Sequence, residues 1–485
     1  MRYVSLKDIQ EYSVLSYGIY DAYDKCIAEK GALVDARVLA YLRDNEYRGI
    51  YIDDNLSADI KVNPFITPKN RAAIMRDILF CHIGECRKHA ESIVREVRSV
   101  GDTHLDYIDA RAEKDYIYAH SVNVAIICAV IANTMKMSAK EMEKLVLAAL
   151  LHDVGRQRLP ESISSNRGRL SQEEYLAMKL HPSMSVQMIK EHGGVSDEIQ
   201  AAILSHHENE DGSGYPNSLV GDDIPLFAKI IHVADVYDAL TANRPYKGAY
   251  LPIEALEYLE GGCDILFSRR VVYGLEANVP FFPKGTDIIT DTGKRAVVMK
   301  NVADQLSRPI ILTENGEIIN TGKRNDISFL ASMIEHAEYS IEENEVGRQE
   351  MISGKKSFRI MIVDDQKTNL MLLKDILDDY YELTLLKSGD QAINYLENNV
   401  CPDLILMDIN MPGMDGIQTA AMIQAKTSNM VPIVFVSSNN DVDTVMACRN
   451  LGCAGYIVRP YNSVYIKSAI KEILTGENVN YADRN

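Results

Sequence analysis

The last quarter of the chain alternates short apolar runs with amphipathic helical segments, and this order constrains the fold more than any other feature. The apolar runs begin at Arg359, Tyr381, Leu404, Pro432 and Gly455, the second being the weakest. Parallel strands need a crossover connection, which is usually a helix, so the alternation predicts a parallel sheet covered by helices. We therefore expect a doubly wound α/β domain over residues 358–485.

Composition limits the class of protein without fixing its fold. The 485 residues allow several domains, and 46% hydrophobic with 25% charged residues is typical of globular proteins. A net charge of −18 argues against nucleic acid or an anionic membrane as the main partner. The eight cysteines form no paired framework, no apolar signal follows the N-terminus, and the apolar stretch Val122–Ala132 is too short to span a bilayer. We expect a cytoplasmic protein with free thiols and no membrane insertion.

Changes of pattern divide the rest of the chain into modules. Residues 1–66 resemble a small α+β module with a helix over Asp35–Asp44, residues 67–115 a helical connector, residues 116–262 an all-helical domain and residues 263–322 a small β module. A charged helical linker is predicted over residues 323–357. Its apolar residues alternate steps of three and four, as in a coiled-coil seam, at Ile327, Leu330, Ile334, Ala337 and Ile341. This spacing predicts a homodimer contact, and an ordinary packed helix is the alternative.

Histidines and aspartates are concentrated in the helical middle of the chain. Seven of the 11 histidines lie between His120 and His232. Neutral imidazoles and carboxylates are the ligands of divalent transition metals. A lone core histidine more often bonds a backbone carbonyl, but that interpretation does not explain a whole cluster. The predicted metal-binding residues are His120, His152, Asp153, His181, His206, His207 and Asp235.

A series of motifs runs over residues 116–260. The motifs are Leu151-His-Asp-Val-Gly, His206-His-Glu-Asn-Glu-Asp-Gly-Ser-Gly-Tyr-Pro, Ile224-Pro, Val233-Ala-Asp-Val-Tyr-Asp-Ala-Leu-Thr and Arg244-Pro-Tyr-Lys. In order and spacing, this series resembles the HD-GYP family. The resemblance implies a helical bundle with two metal ions, iron or manganese, that hydrolyses the bacterial second messenger cyclic di-GMP. Paired cations suit this chemistry because they activate water and neutralise the charge of a phosphodiester transition state.

The same resemblance assigns a role to each group of residues. One ion is expected on His120, His152, Asp153 and Asp235, and the other on His181, His206 and His207, with Asp153 bridging. Asp211, Gly214, Tyr215 and Pro216 form the loop that contacts substrate or locks the site. Arg244 and Lys247 are expected to contact phosphate, although a solvated helix end is the alternative.

Two departures from the HD-GYP pattern affect the expected chemistry. The family commonly has lysine where this chain has Arg156, which keeps a positive charge but does not readily release a proton. We expect an electrostatic catalytic role for Arg156, and slow turnover if the lysine normally protonates the leaving oxygen. Some members have a glutamate where this chain has Tyr116 and bind a third ion, so two ions are expected here. The product, pGpG or GMP, stays open.

Acidic residues follow two strands of the C-terminal domain. The strands of an open parallel sheet converge at their carboxyl ends, where Asp364, Asp365 and Asp408 would meet. Such a pocket resembles that of a response-regulator receiver domain. The resemblance implies that Asp408 accepts a phosphoryl group from a sensor histidine kinase. The same carboxylates and the carbonyl of Asn410 would bind Mg²⁺. The implied switch residues are Ser437, Tyr456 and Arg459, the last replacing the usual lysine, so a receiver that docks without phosphorylation is the alternative.

A second group of metal-competent side chains lies outside the main cluster. Cys81, His82, Cys86 and His89 are close in sequence, but one short helix gives poor tetrahedral closure, so we expect an ordinary helix face. The sequence thus predicts a receiver-controlled cyclic di-GMP phosphodiesterase. The alternatives are a catalytically silent cyclic di-GMP sensor or adaptor and another HD-type nucleotide phosphohydrolase.

Overall fold

The structure is a computed structural model of the 485-residue chain. It describes residues 1–100, 104–106, 116–164, 171–241, 251–290, 294–303, 305–323, 329–332, 358–378, 380–427, 431–437, 448, 451–458 and 463–475. Two compact units divide the chain. The first draws on Met1–Leu256 and Phe267–Glu342, and the second on Glu257–Leu266 and Glu343–Asn485.

The N-terminal part of the first unit combines short strands with one helix. Its elements are β1 (Arg2–Ser5), β2 (Val14–Leu15), β3 (Ile19–Tyr20), β4 (Cys26–Ala28), α1 (Ala36–Asp44) and β5 (Gly49–Asp53). β1, β5 and β2 form an antiparallel sheet in that order, and β3 pairs with β4. Helix α1 begins where the side chain of Asp35 accepts a hydrogen bond from the Val38 amide, which confirms the helix predicted there.

Eleven helices follow in the described residues of the first unit and the segment that adjoins it. They are α2 (Pro68–Leu79), α3 (Ile83–Ser99), α4 (Tyr116–Thr134), α5 (Ala139–Leu151), α6 (Glu161–Ser164), α7 (Gln172–Met178), α8 (His181–Glu191), α9 (Asp197–Leu204), α10 (Leu226–Thr241), α11 (Pro252–Gly261) and α12 (Arg269–Glu276). Reciprocal Ser–Glu capping boxes begin α5 at Ser138 and α7 at Ser171. The predicted all-helical middle is therefore confirmed.

Helix α4 forms the centre of the helical region. It packs against α2, α3, α5, α10 and α12. Its own residues are apolar on every face. Its length and composition would allow it to cross a membrane, but 72% of its apolar window is buried inside the protein. A helix surrounded by other helices is apolar all round because every face is covered, so its composition is weak evidence for a membrane span.

An antiparallel sheet ends the first unit. Its strands are β6 (Asp287–Thr290), β7 (Arg295–Val302), β8 (Gln305–Thr313), β9 (Ile318–Asn320) and β10 (Phe329–Ser332). Their order in the sheet is β10-β6-β7-β8-β9. Two expectations need correction here, because residues 269–276 of the expected β module form α12 and Leu330 of the expected coiled coil lies in a strand. The free edge of β6 takes up β10 by backbone pairing, which outweighs a short heptad pattern.

The other four residues of that seam, Ile327, Ile334, Ala337 and Ile341, lie outside the described residues. The sheet also shares a core with the N-terminus. Tyr3 and Tyr51 pack in one apolar cluster with Val62 and Val297. The two modules that the sequence places on either side of the helices thus contact each other directly.

The C-terminal domain in the second unit is a five-stranded parallel sheet with helices. Its elements are β11 (Arg359–Val363), α13 (Lys367–Leu377), β12 (Glu382–Leu386), α14 (Gly389–Asn398), β13 (Leu404–Asp408), α15 (Gly416–Thr427), β14 (Ile433–Ser437), β15 (Gly455–Val458) and α16 (Ser463–Thr475). The strand order is β12-β11-β13-β14-β15, and every pair is parallel. All residues of β13 and β14 are buried, as expected for central strands covered on both faces. The predicted doubly wound domain is confirmed.

Candidate functional site

Five segments of the helical region bring the predicted metal-binding residues together. His120 lies in the first turns of α4, and His152 and Asp153 follow α5 directly. His181 begins α8, while His206 and His207 follow the end of α9 and Asp235 lies within α10. Helix ends suit this task because the chain can turn there and aim a side chain into the space between helices.

Two groups of three side chains have ligand atoms close enough to share one ion. His120, His152 and Asp153 form the first group, and His181, His206 and His207 form the second. Within each group the ligand atoms lie within 4.8 Å of one another. The resemblance to the HD-GYP family implied these two groups with Asp235 as a fourth member of the first.

Asp153 and Asp235 each face both groups. Asp153 Oδ1 lies 3.2 Å from His181 Nε2 and its Oδ2 lies 3.8 Å from His152 Nε2. Asp235 Oδ1 lies 2.8 Å from His120 Nε2, and its Oδ2 lies 3.9 Å from His207 Nδ1. Asp153 thus has the position expected of a bridging carboxylate. Asp235 lies nearest to His120 of the first group and also faces His207 of the second.

Three of the histidines are oriented by the same local hydrogen bond. The Nδ1 atoms of His152, His181 and His206 each lie 2.7 Å from the carbonyl oxygen three residues earlier, in Ala149, Met178 and Ile203. This bond fixes the proton on Nδ1 and leaves Nε2 as a free electron pair. The Nε2 atom of His181 then lies 3.3 Å from His206 Nε2 and 3.2 Å from His207 Nε2. Such convergence of acceptor nitrogens favours a cation between them.

The protonation states of His206, His207 and Asp153 match metal binding. Burial and the adjacent imidazoles lower the pKa of His206 to about 3, so this ring is neutral at ordinary pH. Burial and His206 likewise lower the pKa of His207. Burial opposes ionisation of Asp153, but Arg156 and two imidazoles outweigh it and hold the pKa of Asp153 well below its usual range. Neutral imidazoles beside ionised carboxylates are the protonation states that a divalent cation requires.

One buried atom supports the fit of this donor set to a metal. His152 Nε2 is fully buried and has no hydrogen-bond partner in the described structure. A buried polar atom without a partner is costly unless something else satisfies it. His152, the four other imidazoles and the two carboxylates of the cluster are suitable ligands for divalent transition ions.

His120 is supported by polar side chains that were not predicted from the sequence. The Nδ1 atom of His120 lies 2.7 Å from Asp238 Oδ2, and Asn123 donates to Asp238 Oδ1 at 2.8 Å. Arg71, buried on α2, donates in turn to Asn123 Oδ1. Asp238 stands one helical turn after Asp235, so its spacing could have indicated a shared face of α10. Arg71 has no such signal, because it is 52 residues from Asn123.

The glycine-tyrosine-proline loop is anchored by a buried carboxylate. Glu208 accepts hydrogen bonds from the amides of Asn217 at 2.7 Å and Leu219 at 3.0 Å. The Tyr215 ring stacks on His207, with centroids 4.7 Å apart and an angle of 24° between the planes. Asp211 accepts from the Ser213 amide at 2.9 Å within the loop. The structure therefore places Tyr215 at the cluster and Asp211 in the turn that shapes the loop.

Arg156 contacts Asp153, and Ser185 contacts the residues on either side of it. Arg156 Nη1 lies 2.9 Å from Asp153 Oδ2, while its Nε is buried without a partner in the described structure. Ser185 Oγ accepts from the Gly155 amide at 2.8 Å and donates to the His152 carbonyl at 2.7 Å, which joins the start of α8 to the end of α5. Tyr116 stacks on His120 with centroids 5.3 Å apart. The predicted phosphate contacts Arg244 and Lys247 lie outside the described residues.

The acidic pocket of the C-terminal domain is also present. Asp364, Asp365 and Asp408 have ligand atoms within 4.8 Å of one another, and Asp364 and Asp408 are buried. Asp364 Oδ1 accepts from the Gln366 amide at 2.9 Å. Of the other predicted residues, Asn410 is exposed after β13, Ser437 is buried at the end of β14, Tyr456 is partly buried in β15, and Arg459 lies outside the described residues.

His82 and His89, two histidines outside the main cluster, bind a carboxylate instead of being free for a metal. His82 Nδ1 lies 3.0 Å from Asp77 Oδ1 and His89 Nε2 lies 2.9 Å from Asp77 Oδ2, so one buried carboxylate engages both rings. Cys81 and Cys86 are buried free thiols. This arrangement agrees with the expectation that the segment is not a metal site.

Comparison with known families and proteins is consistent with this geometry. Residues 75–265 match the HD domain, and residues 360–471 match the response regulator receiver domain. The chain is 27% identical over 260 residues to a cyclic di-GMP phosphodiesterase of Pseudomonas aeruginosa, with 52% of this chain and 63% of that protein covered.

Two further relatives match shorter stretches. The chain is 39% identical over 150 residues to the cyclic di-GMP phosphodiesterase response regulator RpfG of Xanthomonas campestris, covering 31% of this chain and 40% of that protein. It is 35% identical over 178 residues to a 3'3'-cGAMP-specific phosphodiesterase of Vibrio cholerae, covering 36% and 41%. The chain thus spans between two fifths and two thirds of these relatives. Together, these matches and the two sites identify the chain as an HD-domain protein with a C-terminal response regulator receiver domain.

Proposed function

We propose that the chain is a metal-dependent phosphodiesterase that hydrolyses cyclic di-GMP. The observation that carries the proposal is the convergence of five imidazoles and two carboxylates into two adjacent groups of ligand atoms. Relatives named as cyclic di-GMP phosphodiesterases support the substrate. Because another relative is named as specific for 3'3'-cGAMP, a cyclic dinucleotide with one guanine and one adenine is the nearest competing substrate.

The donor set assigns a role to each residue. When bound here, two divalent ions, iron or manganese, would polarise the phosphodiester and supply a nucleophilic water. Asp153 faces both groups and is held ionised, so it would bridge the two ions. Arg156 places a permanent positive charge beside Asp153, where it offsets negative charge that grows during attack on phosphorus. Tyr215 covers His207 and limits water at that side of the pocket.

Metal analysis combined with a turnover assay tests this proposal. Protein purified without oxygen should contain close to two iron or manganese ions and convert cyclic di-GMP to pGpG or GMP. We expect His152→Ala and Asp153→Ala to lose both metal and turnover. His192→Ala is the matched control, because His192 is an exposed histidine of the same domain outside the cluster.

A catalytically silent sensor or adaptor for cyclic di-GMP is the second candidate. The specific observation in its favour is Arg156, which cannot readily give a proton to a leaving oxygen. Tight binding of cyclic di-GMP by metal-loaded protein without product would establish the sensor and contradict the enzyme. Faster hydrolysis of other nucleotides than of cyclic dinucleotides would indicate a different HD-type phosphohydrolase.

We further propose that phosphorylation of Asp408 by a sensor histidine kinase controls this activity. The acidic pocket supports it, since three clustered carboxylates can hold Mg²⁺ beside an acceptor aspartate. Acetyl phosphate with Mg²⁺ should change the hydrolysis rate of the wild type, while the rate of Asp408→Asn should be the same with and without the phosphodonor. An unchanged wild type would favour a receiver that docks without phosphorylation. The kinase partner and the ordinary composition are consistent with a cytoplasmic protein.

A further inference from the structure

Two tyrosines and a lysine extend outward from the histidine cluster. The Tyr215 ring stacks on His207 at 4.7 Å. The Lys179 ammonium lies 5.3 Å from the Tyr215 ring centroid and 4.5 Å from the Tyr175 ring centroid. The three side chains therefore form a continuous series of contacts from the predicted metal ligands to the surface, which we call the tyrosine–lysine row.

The outer end of this row is open to solvent. Tyr175 is 41% exposed, although its ring is large and apolar. Leu176 and Leu180, its neighbours on the same segment, are 56% and 52% exposed. An exposed aromatic ring beside exposed aliphatic side chains at the edge of a polar pocket is an apolar surface that a flat ligand could cover.

Lys179 is held in place by its position in the chain. Its backbone amide donates to the Tyr175 carbonyl at 3.0 Å at the end of α7, two residues before His181. Within the described residues, no carboxylate forms an ion pair with its ammonium group. A cation over one ring at i, i+4 is a common surface contact. The second ring, Tyr215, comes from a distant loop, so the ammonium is fixed between the cluster and the exposed tyrosine.

We propose that Tyr175 and Lys179 form a nucleotide subsite in which Tyr175 stacks with a purine base and Lys179 contacts the adjoining phosphate. This inference rests on the proposed function, because it deepens the substrate class of the same site. A phosphate at the imidazole cluster would place the rest of its nucleotide along the row, toward Tyr175. Aromatic side chains bind bases through their faces, and an ammonium group binds phosphate as a point charge.

The charge of the pocket explains why a lysine is useful at this point. Asp153 and Asp235 place two carboxylates in the cluster, and these repel a phosphodiester until cations neutralise them. Arg156 supplies one positive charge behind Asp153. Lys179 supplies another at the side where the row begins, so the approach to the cluster from Tyr175 favours an anion.

The test compares a nucleotide with the same phosphate lacking its base. GMP and ribose 5-phosphate are titrated calorimetrically into the metal-loaded full-length protein. We expect Tyr175→Leu, which keeps an apolar side chain but removes the ring, to weaken GMP binding about tenfold and to leave ribose 5-phosphate unchanged. Tyr175→Phe keeps the ring and should bind both as the wild type does. Lys179→Met should weaken both ligands, because it removes the phosphate contact.

Turnover gives an independent measurement. In Tyr175→Leu, the KM for cyclic di-GMP should rise about tenfold while kcat stays within about twofold of the wild type. Glu173→Gln is the matched control, since Glu173 is an exposed residue of the same helix that lies outside both the row and the apolar surface beside it. Metal content and thermal unfolding are measured for each variant so that a folding defect is recognised.

Two results would overturn the subsite. One is GMP binding that is unaffected by Tyr175→Leu, and the other is an equal loss of GMP and ribose 5-phosphate, which would show that the ring does not read the base. Failure of the proposed function would look different. A wild type that binds metal and GMP without hydrolysing cyclic di-GMP contradicts the enzyme, while the two binding titrations still decide the role of Tyr175.

Discussion

At the scale of single residues, the protonation of the cluster depends on side chains that are not themselves expected to bind metal. Asp238 accepts from His120 Nδ1 and is held by Asn123, which Arg71 contacts from α2. A carboxylate behind a metal-binding histidine fixes the ring and makes its free nitrogen a better donor. Helix α2, which carries none of the predicted metal ligands, thus takes part in orienting the site through Arg71.

Asp238→Asn should weaken metal binding without emptying the site. An amide can still bond to the ring, but it lacks the charge that raises the basicity of His120. We expect an affinity for Mn²⁺ that is about 10- to 100-fold lower, measured by titration of metal-stripped protein. Asp222→Asn, at an exposed position of the same domain, should bind as the wild type does. Equal affinity in wild type and Asp238→Asn would show that the carboxylate has no role in metal binding.

Arg156 should act through its charge alone. Burial opposes its charged form, but the contact with Asp153 raises the pKa of Arg156 further, so it does not titrate near neutral pH. We expect Arg156→Met to lose at least about tenfold in kcat/KM. Arg156→Lys should keep turnover within about threefold of the wild type from pH 7 to 9.5, because the ordinary pKa of a lysine is about 10.4 and the contact with Asp153 favours its charged form.

The pH profile separates the two possible roles of this position. Because Arg156 stays charged, its protonation should cause no change in the wild-type rate between pH 7 and 9.5. If Arg156→Lys instead hydrolyses cyclic di-GMP many times faster than the wild type at neutral pH, then the position serves as a proton donor. Arginine would in that case limit the natural rate.

At the scale of elements, the loop that carries Tyr215 depends on close backbone contact. A Cβ atom at Gly214 would overlap the backbones of His207, Glu208 and Asn209, none of which can move without the cluster. We expect Gly214→Ala to destabilise the protein by about 1–3 kcal/mol and to reduce turnover, because Tyr215 would leave His207. Thermal unfolding and kcat measure the two effects. Gly84→Ala is the control, since an added Cβ meets no atom within 4 Å there. A Gly214→Ala variant as stable as Gly84→Ala would contradict this argument.

The sequence predicted elements well where local pattern and tertiary contacts agree. The strands of the C-terminal sheet and the capping box at Ser171 follow from periodicity and side-chain chemistry, and both are present. The prediction of a helix around Leu330 is wrong, because this segment pairs with the edge of β6. A spacing of three and four over two heptads contains no information about that strand. Local patterns carry no information about distant strand partners.

The same difference between local motifs and distant contacts applies to the residues of the site. His152 and Asp153 belong to a motif and could be recognised in the sequence, whereas Arg71 and Asn123 meet only because α2 packs against α4. Tyr175 and Lys179 likewise lie on a short helix without a motif of their own. Supporting contacts between segments far apart in sequence depend on the folded arrangement, which one sequence does not reveal.

At the scale of the whole molecule, ionic contacts connect modules of the first unit. Arg76 on α2 lies 3.1 Å from Asp24 of the N-terminal module and 3.3 Å from Asp77. Asp77 contacts His82 in the turn between α2 and α3 and His89 within α3. A single buried carboxylate therefore joins the N-terminal module, through Arg76, to the helices that lead to the metal cluster.

The stabilisation that Asp77 contributes should be lost in acid. Burial would raise the pKa of Asp77, but hydrogen bonds from both histidines and the charge of Arg76 lower it below its usual value. A carboxyl group with a lowered pKa stabilises the fold above its unfolded pKa of about 4, and this contribution disappears as pH falls through the lower, folded value. Asp77→Asn should therefore melt at a lower temperature than the wild type at pH 7, and the difference should shrink below about pH 4.

The measurement is a series of thermal unfolding curves of the full-length protein from pH 7 to pH 3.5. Asp59→Asn, at an exposed position in the same part of the chain, should follow the wild type over the whole range. A constant difference between Asp77→Asn and wild type at every pH would mean that the variant acts through packing instead of charge. A difference that shrinks on acidification shows that the ionised carboxylate of Asp77 stabilises the junction of α2 and α3, next to the Arg76–Asp24 contact with the N-terminal module.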